Sequence, residues 1–128
     1  MGRFRIGEAA ELLGVSADTL RRWVDTGRLP AVRDTHGHRQ VDGADLAAFA
    51  RSGAYRDAAA RSSARNRFRG IVTAVTRDTV MAQVEVQAGP FRVVSLLSTG
   101  AVDELDLRVG RIAEAVVKST NVVIEVPE

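Results

Sequence analysis

The chain has 128 residues, 45% of them apolar, and a net charge of +2, enough for one ordinary domain or two small ones. It has no cysteine, which excludes disulfide frameworks, thiolate metal sites and cysteine nucleophiles and fits a reducing, cytoplasmic setting. Residues 1–10, MGRFRIGEAA, hold no signal-peptide core and no apolar run approaches the roughly 18 residues of a membrane span, so neither is expected.

Charge is uneven along the chain. Residues 1–61 carry ten Arg against eight acids, and residues 62–128 carry seven Arg and one Lys against eight acids. The small positive excess sits in the first half, where it gives weak support for a polyanionic partner.

The first half has helical spacing. Ile6, Ala9, Ala10 and Leu13 fall at i, i+3, i+4 and i+7, one face of a first helix over about Ile6–Leu13. Gly14 supplies a left-handed turn residue, and Ser16 is a good N-cap for a second helix. In that helix Val15, Leu20, Trp23 and Val24 form an apolar face, and Asp18, Thr19, Arg21, Arg22 and Asp25 form the other. Gly27 ends it. LPAVRDTHGHRQV then reads as two short strands around a His-Gly turn, and DGADLAAFA as a third helix with Leu46 and Phe49 packing back. His36 and His38 shape that turn and, with no further Cys or His to join them, are not expected to ligate a metal.

IGEAAELLGVSADTLRRWVDTGRLP followed by HGHRQVDGADLAAF resembles the winged helix-turn-helix of the MerR and excisionase families. The resemblance covers about residues 3–51. It implies double-stranded DNA as partner, with the second helix in a major groove and the wing on the backbone or minor groove. It makes Thr19, Arg21 and Arg22 candidates for base or phosphate contact and Arg39 the wing candidate. Arg pairs bidentately with guanine or clamps phosphate, and Thr serves either role. MerR regulators dimerise through a long helix after the wing, and none follows here. Oligomerisation is therefore expected from the second half.

Texture changes near residue 60. Residues 1–52 read as the DNA-binding domain, 53–61 as a linker and 62–128 as a second domain. Five strand-like segments, around Ile71–Val75, Val80–Val86, Val93–Leu96, Ala115–Val117 and Val122–Val126, with a helical turn VDELDL, suggest an OB-like five-stranded β-barrel. The fold class is α+β.

Lys118 is the only lysine; the other 17 basic residues are Arg. Its surroundings, VKSTNV, share a composition with SSARN before the first strand: hydroxyls, an amide or a cation, and no carboxylate. LLSTG adds Ser98 and Thr99 at the end of a strand. A deprotonated tetrahedral oxyanion offers only acceptors, so its partners must donate. A lysine ammonium is a compact point charge with three rotatable donors and suits such an ion better than a planar guanidinium.

SARNRFRGIVTAV, MAQVEV, LDLRVG and AVVKSTNVVI resemble the Mop domain, the single-domain form of the TOBE fold found in molbindins and in molybdate-dependent repressors. The resemblance covers about residues 62–127. It implies that molybdate or tungstate binds between subunits of a homo-oligomer, a dimer or a trimer of dimers. By position Ser63, Ala64 through its main chain, Arg65, Ser98, Lys118 and Ser119 match the family's oxyanion residues. Ala101 stands where the family often has Ser, which removes one donor. Asn66 reads as a turn former.

The two halves together point to a transcription regulator that senses the oxyanion. The alternative is a molybdate or tungstate store in which the helical half serves assembly. No nucleophile–base pair, paired carboxylates or Gly-rich phosphate loop is present, so no enzyme is expected. Aromatic residues are 5% of the chain, too few for a base-stacking groove on the barrel.

Overall fold

The computed structural model describes residues 2–53 and 62–127. The chain divides into two compact units, Met1–Ala59 and Ala60–Glu128. Beyond Gly53, the expected linker over 53–61 lies outside the described residues.

In the first unit, β1 spans Arg3–Arg5, α1 Ile6–Leu13 and α2 Ala17–Asp25. Ile6, Ala9 and Ala10 bury the inner face of α1. Gly14 ends it at φ 70°; its N–H donates to the Glu11 carbonyl at 3.2 Å and the Val15 N–H to the Ala10 carbonyl at 3.0 Å. That double closure needs a left-handed residue, which glycine adopts without strain. Ser16 Oγ accepts from the Thr19 N–H at 3.1 Å and so caps α2 as expected. Leu20 and Trp23 are the buried residues of α2.

The wing forms from β2, Val32–Arg33, and β3, Arg39–Asp42, and α3 follows over Gly43–Ser52. The sheet order is β1-β3-β2, all antiparallel. β1 was not anticipated, because three residues, RFR, are too few for an alternation signal. It pairs Phe4 with Val41 and seals the far edge of the wing. Leu46 and Phe49 of α3 are buried, and the Phe49 ring lies 4.9 Å from Trp23 at 43°, a tilted aromatic pair that closes the core.

In the second unit, β4 runs Asn66–Arg77, β5 Met81–Ala88, β6 Phe91–Ser98, α4 Thr99–Glu104 and β7 Ile112–Val117. They form one antiparallel sheet ordered β6-β5-β4-β7. In β5, Ala82, Val84, Val86 and Ala88 are buried at every second position, the period of a strand with one face on the core. A register shift between Val72 and Ala74 marks a bulge in β4, which curls the sheet. Val102 of α4, 1% exposed, plugs the concave side. The turn expected at VDELDL begins three residues earlier, because Ser98 Oγ accepts from the Ala101 N–H at 3.1 Å and starts the helix at Thr99. Asp78 closes the β4–β5 turn by accepting from the N–H groups of Val80 and Met81, both at 2.8 Å.

The architecture is α+β with an OB-like half-barrel, and one expected strand is absent. Val122–Val126 follows a 3-10 turn over Ser119–Asn121 and pairs with no strand among the described residues. Val123, Ile124 and Val126 are 82%, 82% and 85% exposed. A β-branched run favours strand geometry only where a partner edge accepts it, and none does so among the described residues. The sheet thus has four strands, not five, and β6 and β7 are both open edges.

Gly70 lies where β4 and β5 approach most closely. A Cβ there would stand 2.1 Å from the Gln87 carbonyl oxygen and 2.7 Å from its carbon. Gly70→Ala is expected to cost about 3 kcal/mol. Trp23 is the only Trp, so its fluorescence reads the first unit. The urea transition followed by circular dichroism should split, with the second unit unfolding early and the Trp23 signal unmoved. Unchanged transitions by both probes would refute the close approach.

Candidate functional site

Two surfaces carry the candidate residues, one in each unit. On α2, Asp18, Arg21, Arg22 and Asp25 are all exposed at i, i+3, i+4 and i+7, a continuous stripe along the outer face. Arg21 Nη1 pairs with Asp18 Oδ1 at 2.7 Å. The Arg22 side chain has no ion pair or hydrogen bond among the described residues. Thr19 is half-buried, and its hydroxyl accepts from Ser16 Oγ at 2.9 Å, so its first role is in the cap.

Arg39, the wing candidate, is engaged with α2. Its Nη1 lies 2.5 Å from Asp25 Oδ1, with the side chains 24% and 62% exposed. The pair braces wing strand β3 against the last turn of α2. Fourteen residues separate the partners, and no local pattern links them. One guanidinium nitrogen is committed to Asp25, and the remaining N–H donors stay available.

In the second unit, the β4–β7 pairing assembles the loops. Asn66 is opposite Val117 in register, and its Nδ2 donates to the Val117 carbonyl at 3.1 Å. Residues 62–65 therefore enter β4 beside the point where Lys118 and Ser119 leave β7. Sequence reasoning took Asn66 only as a turn former. In the structure it ties the two loops together. Lys118 is exposed, its ammonium has no partner among the described residues, and its carbonyl accepts from the Asn121 N–H at 2.9 Å. The lysine thus heads the tight turn that begins at Ser119.

The first loop is more self-contained than expected. The Ala64 N–H donates to Ser62 Oγ at 3.1 Å. Arg65 Nη1 donates to the Ser62 carbonyl at 3.1 Å and reaches the Ala64 carbonyl at 3.5 Å. Arg65 holds the shape of the loop, which leaves the Ser63 hydroxyl, the Lys118 ammonium and the Ser119 hydroxyl as the outward donors. Glu114, four residues before Lys118, is paired with Arg67 at 2.8 Å.

Ser98 does not join this cluster within one chain. It pairs with Met81 at the far end of β5, next to the β4–β5 turn at Asp78. Asn66 and Arg77 are the two ends of the 12-residue β4, which at about 3.3 Å per residue has a contour of roughly 35 Å. Lys118 lies at the Asn66 end and Ser98 at the Arg77 end. Among the described residues no group of three or more His, Cys, Asp or Glu is placed to hold a metal ion. No described helix is long and apolar enough to cross a membrane.

Comparison with known proteins agrees with this division. Residues 4–54 match the model of a helix-turn-helix domain and residues 62–124 that of a TOBE domain. Over 63 residues the chain is 40% identical to molybdenum-pterin-binding protein 3 of Clostridium pasteurianum, covering 48% of this chain and 93% of that protein. The chain belongs to the TOBE domain family. Over 74 residues it is 38% identical to molybdenum transport protein ModE of Herbaspirillum seropedicae, covering 57% of this chain and 28% of that protein. The match thus spans about a quarter of ModE. A molybdate binding protein from Sporomusa ovata aligns with a TM-score of 0.49 at 27% identity, over 52% of this chain and 98% of that one. The TOBE domain here thus follows a helix-turn-helix domain in one chain.

The Arg39–Asp25 brace is testable by a double-mutant cycle, with Arg39→Ala and Asp25→Ala read by Trp23 fluorescence in urea. The expected coupling is about 0.5–1 kcal/mol, the range of a partly exposed ion pair. Strictly additive effects would mean that the pair does not hold the wing to α2.

Proposed function

We propose that the chain is a cytoplasmic DNA-binding regulator that responds to molybdate or tungstate. The observation that carries the reading is the β4–β7 register. It makes Lys118 and Ser119 leave β7 beside the end of β4 that the Ser63 loop enters, in a chain whose other unit exposes Arg21 and Arg22. A donor-only cluster is the chemistry a tetrahedral dianion requires. The names of the molybdenum-binding relatives support that ion class.

The oxyanion site is built across two chains. Ser98 and Ala101 lie at the opposite end of the sheet from Lys118, so a site using both ends draws them from different copies. The partner surface has matching chemistry. β6 and β7 are open edges, and a cleft of about 300 Å³ between them is lined by Val93, Leu97, Leu107, Ala113, Ala115 and Val117. The apolar arm Val122–Val126 of a second copy has the composition to add a strand there and close the barrel. Ligand bound at such a joint favours the arrangement of chains that it bridges. It thereby sets the spacing of two helix-turn-helix units, provided that it binds that arrangement more tightly than the others.

In the DNA-binding unit, Arg21 and Arg22 face the groove from α2, with Thr19 at its N-terminal turn. Arg39 orients the wing through Asp25 and offers its free N–H donors to phosphate. A storage protein would have no use for the exposed Arg21–Arg22 pair on α2. Nothing in this account requires chemistry on the oxyanion, and the chain acts as a binder rather than an enzyme.

Titration calorimetry of the full chain with molybdate, tungstate and sulfate tests the ligand class. Molybdate and tungstate should bind with sulfate far weaker, and Lys118→Ala should weaken molybdate by about 3 kcal/mol, roughly 100-fold, with the thermal midpoint unchanged. Molybdate binding that survives Lys118→Ala intact would remove the site.

A further inference from the structure

Both histidines of the chain, His36 and His38, stand on the wing tip. Imidazole is the one side chain that ordinarily changes charge between about pH 5 and 8, and the chain has no cysteine to join it. We propose that the wing tip is a proton-linked phosphate contact, in which His36 and His38 take up protons as they meet the DNA backbone. The proposal rests on the DNA-binding reading of the first unit and adds a regulatory variable, pH, to it.

The tip is built to present the two rings. Asp34 Oδ1 accepts from the N–H groups of His36 and His38 at 2.8 and 2.9 Å. The Asp34 N–H donates to the His38 carbonyl at 2.8 Å, the Gly37 N–H to the Asp34 carbonyl at 3.0 Å, and Arg33 Nη1 to the Gly37 carbonyl at 2.6 Å. Gly37 takes φ 80°, which glycine supplies at no steric cost. The turn is held by its backbone and by Asp34, so the imidazoles are not needed to form it. Both histidines are exposed, with ring centroids 6.4 Å apart and planes 25° from parallel.

The charged groups around them are few. Asp34 Oδ2 is 3.8 Å from His38 Nδ1, and the Thr35 hydroxyl is 3.4 Å from His36 Nδ1. Arg33 is fixed on the turn, Arg39 is paired with Asp25, and Arg5 acts on Asp34 from β1. The N–H of His38, with that of His36, holds the Asp34 carboxyl below the ordinary carboxylate range. Asp34 stays ionised where histidine titrates and takes no part in the uptake. Two imidazolium rings at this spacing repel each other, and the Asp34 carboxylate, 3.8 Å from His38 Nδ1, offsets that charge on the His38 side alone. A phosphate supplies a further anion, and an anion beside an imidazole favours its charged form. Uptake is thereby coupled to binding, and affinity rises as pH falls through the histidine range.

The test uses the full chain and a fluorescent mixed-sequence duplex of about two helical turns at fixed low salt, because phosphate contacts do not depend on the operator. Affinity should rise roughly 10-fold from about pH 8 to about pH 6. The double variant His36→Gln with His38→Gln should lose the gain on acidification, its affinity being the same near pH 6 as near pH 8. Calorimetry in two buffers of different ionisation enthalpy should show about one to two protons taken up per bound chain by the native protein and none by the variant. Native binding without pH dependence, or the same dependence in the variant, overturns the proposal. No binding to the duplex at either pH overturns the DNA-binding reading itself, and the proposal with it.

Discussion

The antiparallel pairing of β4 with β7 is the constraint on which the second unit depends. It brings residues 62–66 and 117–119, some fifty positions apart in the chain, to one end of one sheet. The Asn66 side chain fixes the junction by donating to the Val117 carbonyl. Lys118 is placed by that register rather than by contacts of its own, since its ammonium extends from a tight turn into open space. A one-residue slip would turn alternate side chains to the other face and separate the ammonium from the Ser63 loop. The buried face, with Val72, Val84 and Val86 in its core, resists such a slip.

The same antiparallel geometry that assembles one half of the proposed site excludes the other half. Strand polarity sends Ser98 to the end of β6 beside Met81, away from Lys118. Among the described residues Val122–Val126 has no strand partner, and β6 and β7 are unpaired on their outer edges. Each of these is a liability in an isolated domain. In the proposed assembly all three are relieved by the same event, association with a second copy. A ligand site that is complete only after association couples oxyanion binding to quaternary arrangement, and a helix-turn-helix unit in the same chain can read that arrangement.

Much of this was legible in the residues, for local physical reasons. Gly14, Ser16 and the Leu20–Trp23 face announce a turn between helices because left-handed backbone, capping oxygen and apolar period each demand specific side chains. Lys118 stood out because it is alone among arginines, and its acid-free surroundings narrowed the ligand. What was hidden depends on long-range pairing. The Arg39–Asp25 brace joins residues on different elements, and β1 is too short to alternate. The Ala64 N–H and the Arg65 side chain are consumed within their own loop, which no composition argument reveals. Val122–Val126 has the pattern of a strand, and sequence cannot say which chain provides the edge. Ser98 carries the right hydroxyl, but its distance from Lys118 follows only from the register.

Mixing two defective chains tests the shared site most directly. Lys118→Ala and Ser98→Ala each remove one half, and molybdate binding by each alone should be weak. Unfolded together and refolded as a mixture, they should form hybrids in which one interface unites the intact Lys118 of one chain with the intact Ser98 of the other. Calorimetry should then recover native affinity at a reduced stoichiometry. A mixture that binds no better than its components would contradict a site divided between chains.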